Sequence, residues 1–149
     1  MGKNVNVFDV AVYILQKCGP MTAMKLQKLV YYCQAWSLVW DEQPLFSEKI
    51  QAWANGPVVY ELFNLHRGKF KVHSIRNGSS DKLNITQKDT IIAVLKYYGD
   101  KSSQWLSDLA HMEYPWCNAR RGIADNIRGS REITHASMME YYGSLQEDS

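Results

Sequence analysis

Residues 21–66 read MTAMKLQKLVYYCQAWSLVWDEQPLFSEKIQAWANGPVVYELFNLH, and the rest of the chain is read outward from this stretch. Its first half predicts a helix over residues 22–41. Leu26, Leu29, Val30, Cys33, Ser37 and Trp40 fall on one stripe at the 3.6-residue period, and Tyr31, Ala35, Leu38 and Val39 occupy the other side. A helix apolar nearly all round is enclosed by other elements, so this one is expected at the centre of the domain. Beyond Pro44, Ile50, Ala52 and Trp53 suit a small extended or β element within residues 45–53. Asn55-Gly56 offers the left-handed backbone of a tight turn, and Pro57 is pre-set for the first position of a helix over residues 58–66.

The flanks read as further helices. Asn6 is a candidate cap for an N-terminal helix carrying Val7, Val10, Ala11, Ile14 and Leu15, which Gly19-Pro20 terminates. Residues 67–81 predict an exposed basic connection with a brief strand near Val72 or Ile75. Thr86 is the expected cap of a helix over residues 87–98, ended by Gly99. Ser102 or Ser103 caps the next, with Trp105, Leu106, Leu109, Ala110 and Met112. Tyr114-Pro115-Trp116 breaks it and starts a short helical turn through Ala119. Residues 122–131 are irregular, Thr134 caps a last helix over residues 135–142, Gly143 closes it, and residues 146–149 fray. The fold class is therefore mainly α: a compact bundle of about six helices around the central one, forming a single domain over residues 1–145.

At 149 residues, 46% hydrophobic and 21% charged, the chain has the make-up of one soluble globular domain. A net charge of +2 argues against a general polyanion binder, although Arg67, Lys69, Lys71, Arg76 and Lys82 face only Asp81 within residues 67–82. Three widely spaced cysteines, Cys18, Cys33 and Cys117, suggest reduced thiols and a cytoplasmic location. Asp9 interrupts the first apolar run, no signal-peptide cleavage pattern follows it, and no run approaches membrane-spanning length.

Chemistry-bearing patterns are sparse. Ser107 and His111 are four apart on one helix face, but a serine inside a helix lacks the exposed elbow of a hydrolase nucleophile. Buried polar groups satisfied by neighbouring backbone are the expectation for both. His66, His73, His111, Cys117 and His135 have no metal-ligand spacing, so no metal or other cofactor is expected. Neither GxxxxGKS/T nor GxGxxG occurs. The basic loop with Phe70 and His73 fits an electrostatic edge for an acidic protein partner better than a nucleic-acid site. Lys25, Lys28 and Tyr32 form a second ridge on the central helix, readable as snorkelling lysines or as a partner-binding surface. Five Trp and nine Tyr are mostly core, and any left exposed are natural anchors for a protein partner.

The ordered series Lys25-Leu26-Gln27-Lys28-Leu29-Val30-Tyr31-Tyr32, Pro44-Leu45-Phe46, Ile50-Gln51-Ala52-Trp53, Gly56-Pro57-Val58-Val59, Trp105-Leu106-Ser107-Asp108-Leu109 with His111, and Pro115-Trp116 resembles the Panacea domain family. That family includes SocA-type antitoxins and phage-associated GepA-like proteins, found in bacteria, prophages and phages. The resemblance covers about residues 21–116. Cys33 and Ala35 depart from the alanine and glycine that often flank the glutamine at Gln34, and residues 67–82 match nothing in the pattern. The resemblance implies a helical, non-enzymatic antitoxin that neutralises a co-encoded toxin by direct binding. Related roles are an adaptor delivering a toxin to a protease and a phage protein binding a host defence factor. A Ser/His hydrolase is the reading from a different class. Gln27, Trp53, Gly56, Pro57, Ser107, His111 and Trp116 are the signature positions carried over, with a structural role open to each.

Overall fold

The computed structural model describes residues 4–147. Its helices are α1 (Val7–Cys18), α2 (Ala23–Trp40), α3 (Tyr60–His66), α4 (Ile85–Tyr98), α5 (Ser103–Met112), α6 (Tyr114–Ala119) and α7 (His135–Glu147), with a 3-10 turn at Ser80–Lys82. Two small antiparallel sheets connect them. One pairs β1 (Met21–Thr22) with β4 (Lys71–Val72). The other has the order β3-β2-β5, made of β2 (Ile50–Trp53), β3 (Gly56–Val59) and β5 (Glu132–Ile133). The architecture is mainly helical with a small β element, as the periodicity predicts.

The nearly uniform hydrophobicity of α2 is explained by its surroundings. Helices α1, α4, α5 and α7 and strand β3 all pack on it, and Leu26, Leu29, Val30, Cys33 and Ala35 are wholly enclosed. Leu26, Leu29 and Val30 each contribute about 2 kcal/mol through their removal from water. Thr22 caps the helix, its Oγ1 accepting from the Lys25 backbone N–H at 3.1 Å.

Two glutamines spaced two turns apart turn this apolar helix into a scaffold for extended backbone. The Gln34 amide donates to Phe46 O at 2.8 Å while its carbonyl accepts from Leu45 N at 2.7 Å. The Gln27 carbonyl accepts from Val59 N at 2.9 Å, and its amide donates to Val59 O at 3.3 Å. A primary amide matches a peptide group donor for acceptor, so each glutamine acts as a short piece of neighbouring strand.

Several boundaries differ from the sequence reading. Gly56-Pro57-Val58-Val59 is not a helix start but the second strand of a hairpin, with Trp53 paired to Gly56 across Ala54 and Asn55. Pro57 is tolerated because β3 is an edge strand, so its missing N–H costs no ladder bond. The β-branched Val58 and Val59 favour the pleat, and the helix begins only at Tyr60. Asn84, rather than Thr86, caps α4, through reciprocal bonds between its side chain and Gln87 N at 2.8 Å and between the Gln87 side chain and Asn84 N at 2.9 Å. Gly143 does not close α7, which continues to Glu147. Gln146 on that added turn accepts from the Trp40 indole at 2.6 Å, an anchor at the end of α2. Of the segment expected to fray, residues 148–149 lie outside the described residues. The brief strand near Val72 is present as β4, whereas β5 after the irregular 122–131 segment was not foreseen.

Asp9, which breaks the first apolar run, is fully buried and productive. Its carboxylate accepts from Asn6 N at 2.9 Å and Ser79 N at 2.8 Å and lies 3.6 Å from the Lys82 ammonium, fastening the 77–82 loop to α1.

Candidate docking site: a clamped hairpin and its groove

The β2–β3 hairpin exposes a row of carbonyl oxygens that no strand partner satisfies, and side chains from three helices and the adjoining loop take them up one by one. Arg120 donates to Ala52 O at 3.2 Å, the Trp116 indole to Trp53 O at 2.8 Å, and the Ser107 hydroxyl to Asn55 O at 2.8 Å. His111 Nε2 lies 2.9 Å from Ala54 O. A carbonyl only accepts, so that imidazole nitrogen carries its proton. From the other side, Lys28 Nζ donates to Pro57 O at 3.3 Å, and Gln27 holds Val59 as described. The turn residues are thereby fixed at both flanks, so the hairpin has little freedom to order on binding.

This arrangement brings together the positions that carry the resemblance. Gln27, Ser107, His111 and Trp116 are the clamp, and Trp53, Gly56 and Pro57 are the backbone being clamped. Gly56 has φ +123°, a region closed to side chains, and it lies directly over Lys28. Ser107 and His111 bond separate carbonyls of the turn and not each other, so they are not set as nucleophile and base. Among the described residues no group of three or more His, Cys, Asp or Glu side chains could hold a metal ion. Ser107→Ala is expected to lower stability by about 1–2 kcal/mol, because Asn55 O loses its partner in a half-buried site. Urea unfolding measures this, and an unchanged midpoint would detach the hydroxyl from the hairpin.

Beside the hairpin tip opens a groove of about 550 Å³ between the first turn of α2, helix α3 and residues 66–70. Its walls are mostly apolar, with Trp53, Val58, Phe63 and Phe70 contributing, and Lys69 and Arg128 stand on its rim. The Arg128 guanidinium covers the Trp53 ring at 4.1 Å from the centroid, and Arg67 sits 5.1 Å from that of Phe63. Phe70 is 81% exposed and shields nothing. At the back of the groove the Gln27 amide donates to His66 Nε2 at 2.9 Å. That nitrogen is therefore the unprotonated one. Burial, followed by repulsion from Lys28, pulls the His66 pKa below the usual imidazole range.

A family profile described as "Antitoxin SocA-like, Panacea domain" matches residues 26–117. The chain belongs to that family. The matched span includes every clamp residue except Arg120, and it includes the whole hairpin. Neither a curated protein nor a solved structure matches the chain. The family description supports an antitoxin role for this Panacea domain in general terms.

The ridge read from sequence as a partner surface is divided by the fold. Lys28 and Tyr32 are completely enclosed, and only Lys25 is partly exposed. Lys28 does not snorkel to water: it is drawn inward by Pro57 O, and burial pushes its pKa down to about 7. Tyr32 stacks on Tyr98 with centroids 4.2 Å apart and donates to Glu113 Oε1 at 2.7 Å. Both sit on the helix face covered by β3 and α4, which a lone helical wheel does not distinguish from a solvent face. Arg120, Arg128 and Glu113 escaped the sequence reading because the contacts that tie them to Ala52, to Trp53 and to Tyr32 and Tyr142 reach residues tens of positions away, with no local spacing to mark them. Phe70 stood out only as an aromatic inside a basic loop.

Proposed function

We propose that this Panacea domain, taken as one unit over residues 1–145, is an antitoxin that neutralises a co-encoded toxin by direct binding, with the groove beside the clamped hairpin as its contact face. The observation that carries this reading is the clamp. The side chains that carry the resemblance fix a hairpin and the wall of an open groove, and Ser107 and His111 among them bond separate carbonyls of the turn. Preorganisation of this kind reduces the ordering cost of association and suits a protein whose task is to bind. Phe70 and the Trp53 wall supply apolar anchors, and Lys69, Arg67 and Arg128 steer an acidic partner toward them.

The test is co-expression with the product of the adjacent gene. Growth is expected to recover, the two proteins to co-purify, and the toxin to persist at an undiminished level. A toxin that disappears on co-expression would replace blocking with delivery to a protease. A neighbour that is harmless alone and never co-purifies would end the antitoxin reading.

A further inference from the structure

The C-terminal half of α2 borders a second, separate cleft of about 630 Å³, walled by Trp36, Trp40, Tyr97, Tyr98 and Tyr141. Glu113, only 5% exposed, lies at its base. The tyrosines around this acid leave it half satisfied. Tyr32 and Tyr142 both donate to Oε1, each at 2.7 Å, and Tyr31 meets the Tyr142 hydroxyl at 3.0 Å. Oε2 takes part in neither bond. Every fully buried side-chain oxygen or nitrogen among the described residues has a partner, so Oε2 is an atom reached from the cleft. Among the described residues Glu113 forms no ion pair, and no Lys or Arg lines the cleft. A carboxyl group with one free oxygen therefore sits beneath a ring of aromatic side chains; burial raises its pKa, the hydrogen bonds from Tyr142 and Tyr32 act against that, and no cationic side chain lines the cleft.

We propose that this cleft seats a cationic side chain, arginine or lysine, presented by a protein partner. The aromatic lining can attract a cation electrostatically, and Oε2 accepts a charge-assisted hydrogen bond from it. The rim argues for a protein as its bearer. Trp40, Tyr97 and Leu145 line the cleft and are 41%, 61% and 39% exposed, apolar surface that a free ion would leave wet and a protein partner covers. Trp36 and Trp40 are held for the purpose: their rings stack at 5.0 Å, and the Trp36 indole donates to the Tyr98 hydroxyl at 3.0 Å. The assignment stands apart from the toxin-binding groove, which lies at the other end of α2.

The test titrates the full chain with the capped peptide Gly-Arg-Gly and with its neutral isostere Gly-citrulline-Gly, following the tryptophan indole signals by two-dimensional NMR. The arginine peptide is expected to shift Trp36 and Trp40 saturably and to bind roughly tenfold more tightly than the citrulline peptide. In Glu113→Gln, which keeps an acceptor for both tyrosines and loses only the charge, that preference should collapse to near unity. Tyr97→Ala, on an exposed side chain, should weaken the arginine peptide about threefold with the fold intact. Equal binding of the two peptides, or a preference that survives Glu113→Gln, would overturn the proposal. Ethylguanidinium binding as tightly as the arginine peptide would overturn the assignment to a protein partner.

Discussion

Gly56→Ala is expected to lower the stability of the domain by about 3 kcal/mol or more, a large loss for the addition of one methyl group. Two effects combine. At φ +123° the backbone of residue 56 is in a region that only glycine occupies without strain. A Cβ placed there would also lie 2.5 Å from Lys28 Cε and 3.2 Å from Nζ. A flexible lysine would ordinarily swing aside, but this one is enclosed and bonded to Pro57 O. The two contributions separate in a double-mutant cycle. In a Lys28→Ala background the collision disappears and the strain persists, so the cost of Gly56→Ala should fall but remain above about 1 kcal/mol. Urea unfolding of the four proteins gives the answer. A cost below about 1 kcal/mol in the native background would mean that Gly56 is not pinned as described.

The second large effect is a rise in stability with alkaline pH, the reverse of what many proteins show. Desolvation holds the folded-state pKa of Lys28 at about 7, while the unfolded chain keeps the ordinary lysine value near 10.4. Between these values the unfolded state binds the extra proton, so stability increases as pH rises. The slope approaches about 1.4 kcal/mol per pH unit, and the whole window is worth up to ~5 kcal/mol as a ceiling. Below pH 7 the folded state carries the full burden of a buried, unpaired ammonium. Above about pH 8.5 the Lys28 gain is opposed, because burial raises the pKa values of Cys33 and of Tyr31, Tyr32 and Tyr142, and ionisation of these groups in the unfolded chain then favours unfolding. Urea midpoints from pH 7 to about 8.5 are expected to climb for the native chain and to stay level for Lys28→Met. A flat native profile would show that the ammonium is hydrated in the folded state.

What could be read from the sequence follows the range of the interactions involved. The enclosure of α2 was legible because its apolar residues surround the helix, and the caps at Asn6, Ser102 and Thr134 were legible because capping is local. The hairpin was not. Gly-Pro after a turn fits a helix start as well as an edge strand, and the choice is made by Gln27, thirty-two residues away, whose amide holds Val59 in extended form. The same limit separated the signature positions from their purpose. Trp116, His111 and Ser107 meet on the consecutive carbonyls of Trp53, Ala54 and Asn55, and Gln27 holds Val59 in the strand that follows, all through contacts with distant residues that no local spacing marks. Lys28 was misplaced for a related reason. A lysine on a helix is ordinarily a sign of solvent, and here a single carbonyl from β3 draws it inside.

The most direct test of the central claim, that the groove beside the clamped hairpin is the toxin-binding face, is the affinity of the purified chain for its co-encoded toxin, measured by calorimetry for Phe70→Asp and for Ile85→Asp. Both residues are strongly exposed, so neither change disturbs the core, and only Phe70 lines the groove. Phe70→Asp removes an aromatic anchor and sets a negative charge against an acidic partner. It is expected to weaken binding by roughly thirtyfold or more, the scale of an interface hot spot. Ile85→Asp should leave the affinity unchanged. Native affinity in Phe70→Asp, with loss in Ile85→Asp, would place the binding face elsewhere and contradict the account.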